Sequence, residues 1–175
     1  DLYGPYAECL SKCDLVDEGK RTAYGYDAKM CALNRVGTIA TDFRFEDKSG
    51  RVRRLHDVKA DFTVLFFSNP GCEACMTIIN ALKESPGISE LISAGKLAVL
   101  NIYIDEDLEA WRSYMPIYPE EWFNGFDPDF VIRTDVLYNV RAIPSLYLLD
   151  KDKTVIMKDA VTERVLDFVN RFVVL

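Results

Sequence analysis

The chain has 175 residues, 49% of them hydrophobic and 28% charged, which is enough to bury one good core and too little for a second sizeable domain. Its net charge of −7 argues against nucleic acid, which selects a basic face, and against acidic partners in general. No apolar run approaches the roughly 20 residues that span a bilayer, and the chain starts at Asp1 with neither Met nor a signal peptide, so it reads as a trimmed piece.

Residues 1–36 differ from the rest, with three cysteines and few β-branched residues. Ala23, Tyr26, Met30 and Leu33 recur at helical spacing between Lys20 and Asn34, and a shorter helix is expected around Tyr6 to Leu15. The pair is too small to fold alone and reads as an N-terminal helical extension. Val36-Gly37-Thr38 marks the boundary to a second unit, residues 37–175. Strand patterns follow at Asp42–Glu46, Arg51–Leu55, Phe62–Phe67 and Leu97–Ile104. Cys75, Ile78, Ile79 and Leu82 form one helical stripe and Ile88, Leu91 and Ile92 another, separated at Pro86-Gly87. After an acidic helix start at Asp105–Glu109 comes a loop-rich, aromatic connection, then a hairpin pattern, Ser145–Leu149 and Thr154–Met157 around a polar turn. A last helix, capped by Thr162, turns Val165, Phe168, Val169 and Phe172 to one side. Helices alternating with strands and a closing hairpin predict an α/β fold with a central mixed sheet flanked by helices.

The most informative segment is Cys72-Glu73-Ala74-Cys75, placed after the apolar run Thr63–Phe67 and the turn Ser68-Asn69-Pro70-Gly71, and opening the first helical stripe. Two cysteines three apart across a first helical turn can close a disulfide with little backbone movement. Free N–H groups and the helix dipole at that end favour a thiolate on Cys72, the species that attacks disulfides.

Three stretches give the chain a resemblance to a known family: Gly37–Phe43, the strand-turn-Cys-x-x-Cys segment Val64–Cys75, and Val140–Asp150 with its Ile143-Pro144-Ser145. From about Val36 onward the chain resembles the thioredoxin superfamily, most closely its TlpA/ResA-type thiol-disulfide proteins. The wider stretch with Asp105–Trp111 and Tyr118–Trp122 is similar to thioredoxin-like proteins of the Bacteroidetes, where such domains follow an N-terminal region on secreted or lipid-anchored chains. The resemblance implies a thioredoxin-like fold, a catalytic pair Cys72 and Cys75, and a cis Pro144 beside it. It also implies that the Ile143 backbone, Pro144 and Gly71 meet the substrate. The partners it implies are disulfide-containing proteins and an upstream thiol electron donor, with no bound cofactor, in the periplasm or cell envelope, and with a lipid anchor as one option upstream of Asp1.

The sequence departs from the family at two places. Gly71 replaces the aromatic residue that usually precedes the first cysteine, which opens the local surface, and Phe66 stands where thioredoxin carries a buried acid. Glu73 tunes the attacking thiol: its charge opposes the helix dipole, so Cys72 is expected to be less acidic than in strongly oxidising relatives, and the domain a reductant.

Other readings are weaker. A zinc site joining Cys72 and Cys75 to Cys9 and Cys13 would not require the preceding buried strand or the distant Ile-Pro-Ser pattern. A purely structural Cys72–Cys75 bridge would constrain the unfolded chain little. A non-catalytic binding module with a vestigial disulfide remains the alternative function. A peroxiredoxin needs a proline and a threonine where Leu65 and Asn69 stand. His56 reads as a surface or capping residue. For Cys9, Cys13 and Cys31, a bridge from Cys31 to one of the others and three reduced thiols stand about even.

Overall fold

The computed structural model describes residues 2–173. Its N-terminal part is a helical pair, α1 (Tyr3–Ser11) and α2 (Glu18–Ala32). Asp17 sets the start of α2, its carboxylate accepting from the Gly19 and Lys20 N–H groups at 3.0 and 3.3 Å. The first helix, expected around Tyr6 to Leu15, lies a few residues earlier, and Leu15 is exposed in the turn before Asp17.

Seven strands form one mixed sheet in the order β2-β1-β5-β4-β3-β6-β7. They are β1 (Arg44–Asp47), β2 (Val52–Arg54), β3 (Phe62–Phe67), β4 (Leu97–Tyr103), β5 (Phe123–Phe126), β6 (Ser145–Asp150) and β7 (Val155–Met157). The central β3 runs parallel to β4 and antiparallel to β6. Alternation along β3 sends Val64 and Phe66 to one face and Leu65 and Phe67 to the other, and both faces are covered, so β3 is buried almost throughout. On the Val64 side pack α3 (Glu73–Glu84), α4 (Pro86–Ser93) and α7 (Thr162–Val173) through Ile79, Leu82, Leu91, Val165 and Val169. On the Leu65 side Phe43, Phe45, Tyr138 and Tyr147 close the second core layer. Two further helices, α5 (Leu108–Tyr114) and α6 (Val131–Thr134), sit in the connection between β4 and β6.

The expected mixed sheet with flanking helices is what the chain forms, with three local differences. Strand β5 lies inside the aromatic stretch read as a loop. Its Phe-Asn-Gly-Phe has no β-branched residue to signal a strand, and Gly125 is required there, because a β-carbon would stand 2.8 Å from Phe45 Cδ2 and 2.9 Å from the Glu46 carbonyl. Arg51–Leu55 is shorter than expected, since Leu55 turns into a 3₁₀ turn, Leu55–Asp57. Thr162 is the first residue of α7 rather than its cap.

The segment after residue 36 is stitched to the sheet edge, with the Gly37 N–H donating to the Val155 carbonyl and the Val155 N–H to that of Thr38, both at 2.9 Å. The helical pair is tied to the same region. Lys158 Nζ donates to the Cys31 and Leu33 carbonyls, and Asn34 bridges the Leu137 carbonyl and the Thr41 N–H. Among the described residues, no helix is long and apolar enough to cross a membrane.

Candidate active site

The parallel strands β3 and β4 end at the same edge of the sheet, and Cys72 and Cys75 follow β3 there. After Phe67 the turn Ser68–Gly71 reverses into α3, with Gly71 at φ +72°, a left-handed conformation that glycine adopts without strain. Cys72 caps α3, its Sγ accepting the Cys75 N–H at 3.1 Å. The two cysteines are joined as a disulfide with α-carbons 5.2 Å apart. Cys72 is half-buried and Cys75 fully buried against Ile79 and Phe66. Once this disulfide is opened, Cys72 is the more accessible thiol, with Cys75 one helical turn behind it.

The register of β3 against β6 brings the third stretch to the same end. Phe67 is opposite Ser145, so Ile143 and Pro144 lie level with the turn that leads into Cys72. The Ile143–Pro144 peptide is cis. Among the described residues the backbone N–H and C=O of Ile143 take part in no backbone hydrogen bond, and its side chain packs against the core layer that contains both cysteines. Glu73 is exposed in the first turn of α3. All six residues singled out from the sequence, Gly71, Cys72, Glu73, Cys75, Ile143 and Pro144, thus belong to one end of the sheet.

The surroundings include groups that the sequence reading missed. Tyr114, at the end of α5, packs into the cysteine layer, and a β-carbon on Gly71 would lie 3.5 Å from its hydroxyl. The surface left open by Gly71 is thus covered in part by an aromatic residue from elsewhere in the chain. Beneath the turn runs a buried polar line: Ser68 Oγ donates to Asn101 Oδ1 at 2.5 Å, Asn101 Nδ2 to Asn124 Oδ1 at 3.3 Å, and Asn124 Nδ2 to the Pro119 carbonyl at 3.0 Å. Asn101, the one polar residue in the apolar run of β4, was the available signal. Asn69 Nδ2 donates to Asp105, which also pairs with Arg133, while the Asn69 carbonyl accepts the Cys72 N–H at 3.3 Å. These contacts hold the turn that presents Cys72. Phe66, where an acid would stand in thioredoxin, is fully buried, so the apolar layer behind Cys75 has no carboxylate at that position.

Other candidates fall away from the dithiol. His56 sits in the turn before β3, a six-residue strand's length, about 20 Å, from the cysteine end. Its Nε2 lies 2.8 Å from the Ala40 carbonyl, and its N–H donates to Asp42 at 3.1 Å, a positioning role in the fold. Cys9, Cys13 and Cys31 are free thiols, so the bridge from Cys31 is not formed and lends no support to an oxidising compartment. No group of three or more metal-ligating side chains among the described residues could hold a metal ion. Trp111 and Phe126 stack edge-on at 4.9 Å in a small satellite core, whereas Tyr118 and Trp122 join the cysteine-side layer.

No protein-family model matches the sequence, and no curated protein does. Solved structures do. A thioredoxin-like protein from Bacteroides caccae superposes with a TM-score of 0.94 at 40% identity, covering 97% of this chain and 61% of that one. The chain thus spans about three fifths of that protein's length. The C-terminal domain of an uncharacterized protein from Bacteroides fragilis matches at 45% identity and a TM-score of 0.77, covering 79% of this chain and 99% of that one. At 24% identity, a domain of a possible thiol-disulfide isomerase from Cytophaga hutchinsonii shares the fold, with a TM-score of 0.63 and coverage of 78% and 92%.

Proposed function

The chain belongs to the thioredoxin superfamily, among the thioredoxin-like proteins of the Bacteroidetes, and on that premise we propose that it is a thiol-disulfide oxidoreductase that reduces protein disulfides in the cell envelope. The observation that carries this reading is the pairing of a half-exposed Cys72 at a helix N-terminus with a buried Cys75, beside the unpaired backbone of Ile143. In the reduced protein, the Cys72 thiolate attacks one sulfur of a substrate disulfide, forming a mixed disulfide and releasing the first substrate thiol. Cys75 then attacks Cys72 Sγ, releasing the second substrate thiol and forming the Cys72–Cys75 bond. Two electrons pass to the substrate, with protons taken through solvent from the two cysteine thiols. An external dithiol donor returns the pair to the reduced state. No bound cofactor enters these steps.

Substrate positioning rests on the Ile143 backbone, which has no backbone partner among the described residues and can pair with an extended segment, and on Gly71, exposed in the turn before Cys72. The reducing direction rests on Glu73. Its carboxylate in the first turn of α3 offsets the dipole's support of the Cys72 thiolate, and a less stabilised thiolate favours the disulfide form of the protein. Placement in the envelope rests on the resemblance to secreted and lipid-anchored relatives.

The test is disulfide reduction with a dithiol donor. The protein should accelerate it, Cys72→Ser should abolish the acceleration, and a potential measured against glutathione should be low. A rate equal to that of the donor alone would assign the fold to a non-catalytic binding module, the reading that the loss of the aromatic residue before Cys72 and of the buried acid at Phe66 favours.

A further inference from the structure

Two cavities meet beyond Pro144. The first is lined by Ile78, Pro144, Ser145 and the Asp159–Glu163 segment, so it borders the dithiol helix. The second, of about 660 Å³, lies where the helical pair α1–α2 meets the sheet, and its wall includes Cys31, Arg35, Asn139, Arg141 and Lys158. Asp159 belongs to the walls of both.

The charge in the second cavity runs opposite to that of the chain, whose net charge is −7. The cavity wall holds three cations and one carboxylate, Asp159, while Asp27 lies outside the wall and pairs with Arg141. Asp159 accepts from Ser145 Oγ at 2.7 Å, and Asp27 holds Arg141 at 3.5 Å and accepts from the Tyr3 hydroxyl. Lys158 spends two of its donors on the Cys31 and Leu33 carbonyls at 3.1 and 2.6 Å, leaving the third for a ligand. Arg35 lies exposed at the mouth. Burial holds the Lys158 ammonium below its usual pKa, the condition that an anion placed beside it relieves.

Resting on the reading of this protein as a protein-disulfide reductase, we propose that the cavity formed by Arg35, Arg141 and Lys158 binds an acidic side chain of the substrate polypeptide while the adjoining groove holds the chain beside Pro144. The site selects disulfides whose flanking sequence carries glutamate or aspartate, and it gives the helical pair a part in recognition, since Arg35 lies three residues beyond the end of α2. Overall negative charge repels acidic proteins at long range, and salt screens that repulsion while the cavity acts at contact distance.

Binding is measured first, apart from chemistry. A short cysteine-free peptide rich in glutamate and its glutamine isostere are titrated into the oxidised protein and followed by amide chemical shifts. The glutamate peptide should bind about fivefold more tightly at about 0.15 M salt, where the long-range repulsion is screened, with shifts at Arg35, Arg141 and Lys158, and that advantage should vanish in Arg35→Gln/Arg141→Gln. Equal binding of the two peptides, or an advantage that survives in the double variant, overturns the proposal. Glutarate binding as tightly as the peptide would make this a small-carboxylate site and overturns it as well. The second measurement is the turnover ratio for disulfide-linked versions of the two peptides, expected to favour glutamate about fivefold in the native protein and to approach unity in the double variant. If neither peptide disulfide is reduced while the glutamate peptide still binds, the reductase reading fails and the acidic site stands. If both are reduced equally and neither binds preferentially, the acidic site fails and the reductase reading stands.

Discussion

A β-carbon on Gly71 would lie 3.5 Å from the hydroxyl of Tyr114, an ordinary contact distance, so the obstacle to a side chain at position 71 is the backbone, at φ +72°, and not the neighbouring ring. This separates two effects. Gly71→Ala should cost about 1–2 kcal/mol of stability, the penalty of a left-handed conformation for a residue with a β-carbon. Tyr114→Phe removes the facing oxygen and should leave that penalty unchanged within about 0.5 kcal/mol. Denaturant unfolding of the two single variants and the double variant measures the coupling; full rescue by Tyr114→Phe would show that crowding is the cause instead.

Shielding by the apolar layer sets the order of thiol reactivity. Cys75 is 1% exposed, while Cys72 is half-buried and sits at the helix start. After reduction, mass-mapped alkylation should label Cys72 at least about tenfold faster than Cys75. Of the free thiols, exposed Cys9 should label ahead of buried Cys31. Faster labelling of Cys75 would exchange the two proposed roles.

Much of this site was legible because its parts follow short-range rules. A buried strand, a turn ending in glycine and two cysteines three apart specify the dithiol from local chemistry, and β3 falls on Phe62–Phe67 as its apolar run indicates. The positions of Ile143 and Pro144 came from a family resemblance and depend on the β3–β6 register, which no local pattern fixes. Tyr114 could not be found this way: it reaches Gly71 from an element 43 residues further along the chain, which the sequence marks only as aromatic. The same holds for β5, where a close approach to Phe45 and Glu46, rather than strand propensity, decides that Gly125 belongs in the sheet.

Substrate capture gives a direct outcome for the proposed chemistry. With Cys75→Ala the resolving attack is lost, so mixed disulfides through Cys72 should accumulate on true partners in a reduced-then-oxidised cell-envelope extract. The Cys72→Ser/Cys75→Ala variant should retain none of them. Adducts that persist in that double variant would come from Cys9, Cys13 or Cys31 and would not support the proposed mechanism.

Lys153 gives a prediction with a definite pH dependence. The residue is 3% exposed, and its ammonium donates to Thr63 Oγ1 at 3.1 Å, a neutral partner. Burial lowers its pKa below the ordinary 10.5, Lys59 adds to the lowering, and Asp150 and Asp152 act against it. A base with a depressed folded pKa costs stability wherever both states carry the charge, at all pH values below that folded pKa. As pH rises from there toward 10.5, the unfolded chain holds the proton more tightly and stability rises; above 10.5 the cost is gone. Lys153→Met replaces the ammonium by an apolar group of similar length and should therefore stabilise the protein at pH 7 by about 1 kcal/mol. That advantage should shrink as pH climbs through the window that ends at 10.5. Paired denaturant melts of both proteins at neutral and alkaline pH test this, since the remaining lysines and tyrosines titrate in both. A constant difference across the range would mean that the ammonium is solvated as well in the fold as in the open chain, and a Met variant less stable at pH 7 would mean that its bond to Thr63 outweighs the burial of the charge.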